Sequence, residues 1–78
     1  MKLFYPRYCF DGTKPAGYDK KTNAYNAKLA ELESNAIKTE MQEGNFYREI
    51  KYWMPDGSVW MRMISLEYML EYSLEKVA

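Results

Sequence analysis

A chain of 78 residues with 47% apolar and 17% aromatic content has room for one small domain and is too apolar to stay disordered. Its 11 Lys plus Arg are matched by 11 Asp plus Glu, which weighs against the basic surface of a nucleic-acid binder and removes the repulsion that keeps copies apart. The absence of His and the single Cys exclude zinc-finger spacings, an internal disulfide and most pairings of nucleophile with general base.

In chain order, Leu3 to Phe10 alternates with Phe4, Tyr8 and Phe10 on one side, which predicts a strand. Pro6 assigns that strand to a sheet edge, because it has no N–H for a ladder bond. Asp11 to Gly17 is dense in turn-formers and reads as a loop. From about Asp19 to Glu43 the pattern becomes helical, with Tyr25, Leu29, Leu32 and Ala36 at spacings of four, three and four, extended by Ile37 and Met41. Asp19 or Thr22 would cap its start, and Gly44 stands where a left-handed C-terminal cap belongs. Such a helix would be about 37 Å long, so a bend or break is expected at the weak helix formers Ser34-Asn35.

Asn45 to Met54 and Val59 to Ile64 flank Pro55-Asp56-Gly57, the strongest local signal in the chain, and predict a β-hairpin. Ser65 then caps a predicted final helix with Leu66, Met69, Leu70, Leu74 and Val77 on one stripe. Residues 1–78 therefore read as one α+β domain in the order β-α-β-β-α, a three-stranded antiparallel or mixed sheet with two helices on one face.

Two hairpin registers are open. A three-residue loop pairs Met54 with Ser58 and sets Tyr52 beside Trp60, leaving Tyr47, Trp53, Val59, Met61 and Met63 on the second face. A two-residue Asp56-Gly57 loop separates polarity better, gathering Tyr52, Met54, Met61 and Met63 inside and leaving Lys51, Trp53, Trp60 and Arg62 outside. Either register leaves a Trp outside the obvious core.

No phosphate-cradling Gly motif, calcium loop or metal-ligand spacing occurs, so no cofactor and no enzymatic activity are expected. Cys9 lacks a base and reads as a buried strand thiol. Glu67, Glu71 and Glu75 would line one face of the final helix, as a solvated face or as an acidic contact for a partner. Lys51, Arg62, Tyr47, Trp53 and Trp60 form an aromatic–basic mixture on the hairpin, flanked by Arg48, of the residue types that dominate interface energies.

The favoured reading is a small non-catalytic binding or inhibitor protein, docking another protein through Tyr47, Lys51, Trp53, Trp60, Arg62, Glu67, Glu71 and Glu75. Accessory and counter-defence proteins of phages and mobile elements are often of this kind, an association that no residue here carries. The alternatives are a single-stranded nucleic-acid binder, with bases stacked on the hairpin aromatics, and a homodimer built through the long helix or a sheet edge. Pro6 and Arg7 interrupt the N-terminal segment before a signal peptide develops, and no stretch approaches the about 18 apolar residues of a membrane span. The expected location is the cytoplasm of a cell or of an infected host, without membrane contact.

Overall fold

In the computed structural model, which describes residues 1–78, the elements run β1 (Lys2–Phe4), α1 (Tyr18–Asn35), β2 (Lys38–Glu43), β3 (Tyr47–Trp53), β4 (Val59–Ser65) and β5 (Leu70–Lys76). The strands form one sheet in the order β1-β5-β4-β3-β2, every pair antiparallel. This corrects the three-stranded, two-helix expectation: there are five strands and a single helix.

The first correction has a local cause and the second a tertiary one. The first helix stops at Asn35, at the expected break, and Ala36 takes an extended conformation with its N–H bonded to the Leu32 carbonyl. The chain then continues as β2 and not as more helix, so Gly44 lies in the β2–β3 turn, where its N–H donates to the Tyr47 carbonyl. At the N-terminal end Gly17, at φ 74, precedes the helix and no side chain caps it, so neither Asp19 nor Thr22 has that role.

The second predicted helix is strand β5. Its supposed stripe would have been buried, yet Met69, Leu70 and Val77 are exposed and only Leu74 is fully covered. The chain reverses over Leu66–Met69, where Met69 adopts φ 53, an uncommon left-handed conformation for a residue with a Cβ. A dozen residues of isolated helix are marginal in water, whereas β5 fills the gap between β4 and β1 and satisfies the ladders of both. A register shift at Met63/Ile64 pairs Met63 with Ser73 and Ile64 with Glu71, leaving Tyr72 as the extra residue of a bulge.

β1 is at the sheet edge as expected, but it spans Lys2–Phe4 only; Cys9, expected in a buried strand, is exposed in the loop after it. The hairpin turn takes the three-residue form. The Met54 N–H donates to the Ser58 carbonyl, Gly57 sits at φ 89, and Tyr52 lies opposite Trp60. Asp56 fixes the turn by accepting from the Ser58 N–H at 2.8 Å and hydroxyl at 2.6 Å, which hold its carboxyl below the usual carboxylate range.

Helix α1 packs on one face of the sheet. Its Tyr25 and Leu32 meet Tyr52, Met54, Trp60 and Leu74 in the core, with Leu3, Tyr5, Leu29, Ala36 and Ile50 around them. Ile37 and Met41, expected to extend the helix stripe, are exposed on and beside β2. No helix is long and apolar enough to cross a membrane.

Candidate interaction surface

The register divides the predicted site residues between two faces. Trp60, Arg62 and Glu71 belong to the face under the helix, together with Tyr52, Ile50, Ile64 and Leu74. Trp60 is 5% exposed and Lys28 of the helix stands 4.3 Å over its ring, so it is a core residue and not a docking residue.

Arg62 is the centre of a polar network that ties helix to sheet. Its guanidinium bonds the Glu71 carboxylate through Nε at 2.8 Å and again through Nη2, and reaches Glu33 of the helix through Nη1 at 3.1 Å. The Tyr25 hydroxyl donates to the second Glu71 oxygen at 2.8 Å, and the Tyr52 hydroxyl donates to Glu33 at 2.7 Å. Burial, and then the bond to Glu71, push the Tyr25 phenol well above its ordinary value. Burial and the Glu33 bond push Tyr52 up to about 12. The Glu71 bond raises the Arg62 guanidinium against the opposing effect of its burial. Each group in this chain of bonds has its partner, as groups withdrawn from water require. The arrangement fixes how α1 sits on the sheet.

The three glutamates share no face. Glu71 points under the helix, the Tyr72 bulge returns the alternation so that Glu75 lies beside Met61 on the opposite side, and Glu67 is exposed in the β4–β5 turn.

The opposite face carries Tyr47, Lys51, Trp53 and Glu75 from the predicted set. No element of the chain packs over it, since the only helix is on the other side and the loop after β1 stays with that helix through Tyr5 on Tyr25 and Tyr8 on Tyr18. Its middle row is Val59, Met61 and Met63 of β4, half-buried among their neighbours. Trp53 flanks Val59 at one end, with Lys38 4.8 Å from its ring. At the other end Tyr72 contacts Tyr47 at 5.2 Å and Phe4 at 5.7 Å between ring centroids, and Phe4 is 54% exposed. Tyr72 and Phe4 were not readable as members of this face, because a helical reading of residues 66–77 hides the strand that brings them together.

Around this apolar centre Lys2, Lys38 and Lys51 alternate with Glu40, Glu49 and Glu75. Lys51 stands directly opposite Glu40 in the ladder, and Lys38 pairs with Glu40 at 3.1 Å. The rim is electrically balanced, with no basic stripe along it. The chain gathers no group of three or more His, Cys, Asp or Glu side chains able to hold a metal ion.

No protein family, characterised protein or solved structure matches this chain. Its own surface is therefore the guide to its function.

Proposed function

We propose that the chain is a non-catalytic binding domain that captures another protein on the open face of its sheet. One observation carries this: Trp53, Val59, Met61, Met63, Tyr47, Tyr72 and Phe4 form a continuous apolar surface that nothing in the chain covers. Aromatic and Met side chains are the types enriched at interface centres, and Met adapts its shape to a partner at low cost. The balanced rim fits a partner of mixed charge and lacks the cationic groove that a nucleic-acid backbone needs. A domain of this kind acts by occupancy, and inhibition of the covered partner is its simplest effect.

The test compares capture by the wild-type chain with capture by Trp53→Ala and Met61→Ala, using lysate of the native source and direct titration of each recovered protein. The reading expects at least about a tenfold loss of affinity for Trp53→Ala, the loss typical of an interface centre. A partner held equally by wild type and both variants would overturn it. Quenching of tryptophan emission by an oligonucleotide at low salt, lost at high salt, would replace it with the nucleic-acid reading.

A further inference from the structure

The two edges of the sheet are protected very differently. β1 has three residues, Met1 and Tyr5 bond inward to β5 so that only Lys2 and Phe4 turn outward, and the next outward position is Pro6, which has no N–H to give. β2 has six residues, Lys38 to Glu43, all exposed, with no Pro and no bulge between its ladder pairs with β3. Because Gly44 donates to Tyr47, alternation turns the backbone groups of Glu40 and Gln42 toward β3 and those of Thr39, Met41 and Glu43 outward. Three successive outward residues thus present free donors and acceptors in a straight row.

We propose that β2 pairs antiparallel with β2 of a second copy about a two-fold axis through Met41. A two-fold axis at an antiparallel edge must pass between a residue and its own copy, which leaves few registers to consider. Centring on Glu40 or Glu43 opposes two carboxylates, centring on Gln42 sets Thr39 against Asn45 beyond the end of β2, and centring on Thr39 requires the Ile37 N–H, which already donates to the Trp53 carbonyl. Centring on Met41 uses the outward groups of Thr39, Met41 and Glu43 on both copies. It sets Thr39 against Glu43 and Glu40 against Gln42, so that each carboxylate faces a donor and no like charges meet.

The side chains fit the same register. Met41, 62% exposed in one copy, meets its own twin. Glu40 is neutralised by Lys38 at 3.1 Å, and Glu43 by Arg48 at 2.6 Å, so the edge carries no unpaired charge to repel a second copy. The chain as a whole is neutral as well. The axis stands perpendicular to the sheet, so both helices lie on one side and both open faces on the other, doubling the five strands into one continuous sheet. This pairing does not depend on what the open face binds.

Sedimentation equilibrium of the wild-type chain at high micromolar concentration is expected to give twice the monomer mass, and a monomer there overturns the proposal. Met41→Pro removes only an outward N–H, tolerated at an edge, and should weaken self-association about thirtyfold through the two symmetric bonds lost. A dimer untouched by that change overturns the edge assignment. Register is read by oxidative cross-linking in a Cys9→Ser background. Met41→Cys brings two sulfurs together across directly opposed residues about 5.5 Å apart at Cα, and should form a disulfide dimer. Glu40→Cys and Gln42→Cys place each residue roughly 8 Å from its own copy and should not. Cross-linking at those positions without cross-linking at Met41 overturns the Met41 axis.

Discussion

Trp53 and Trp60 lie on paired strands of one hairpin, a single ladder step out of phase, and the difference separates two kinds of surface. Trp60 is under the helix with Tyr25, Tyr52 and Leu74, beside a network of directional bonds in which every polar group has a partner. Trp53 is on the open face among Val59 and the methionines, with Lys38 over its ring and no hydrogen-bonded network around it. The covered face gains uniqueness from its polar lock, and the open face keeps adaptability by having none. A hairpin apolar on both sides thus serves folding with one side and leaves the other for the proposed recognition.

The largest effect that could break this comparison is on the tryptophans themselves. Trp60→Ala should cost about 3–5 kcal/mol of unfolding free energy in a denaturant titration, as large core truncations do. Trp53→Ala should cost below about 1 kcal/mol, and equal losses would mean that both faces are core. Arg62→Leu comes next, at about 2–3 kcal/mol, because it leaves the Glu71 carboxylate under the helix without its cation.

Alkaline titration sharpens the same contrast. Tyr52 has its phenol raised from 10.0 to about 12, so the folded state holds that proton more tightly than the unfolded chain. Its contribution is complete below about pH 10 and is lost as pH rises toward 12. Thermal melts across that window should fall for wild type and fall less steeply for Tyr52→Phe, which costs about 1 kcal/mol at neutral pH through the lost Glu33 bond. The smallest effect is expected from Met63→Ala on the open face, within about 1 kcal/mol in stability, while partner capture weakens measurably.

How much of this was legible in the residues varies along the chain. Pro55-Asp56-Gly57 announces its hairpin because turn chemistry is local, although the choice between two- and three-residue loops rests on Gly57 and the Met54–Ser58 bond. The helix face Tyr25, Leu29, Leu32 and Ala36 is readable because its spacing reports burial directly. β2 gives no such signal: both of its sides are exposed, so no apolar alternation marks it. β5 gives a false one. Leu66, Leu70, Leu74 and Val77 fit a helical period, and only the vacancy between β1 and β4, a tertiary demand, overrides it. Of the site residues, Tyr47, Lys51, Trp53 and Glu75 fall together on the open face, whereas Trp60, Arg62 and Glu71 are on the covered one because the register runs through Tyr52 and Trp60.

The position of β5 has a consequence for how the molecule comes into being. It lies between the first strand and the fourth, so the Met1 carbonyl waits for the Lys76 N–H and the Leu3 position for Leu74. During synthesis the hairpin of β3 and β4 can close early, but the sheet stays split until residues 70–76 have left the ribosome. Until then β4 shows a bare edge and the N-terminal strand has no partner at all. A chain cut short before Leu70 would thus lose more than one strand: it would be left open along the middle, with an unsatisfied row of backbone groups ready to pair with a neighbour.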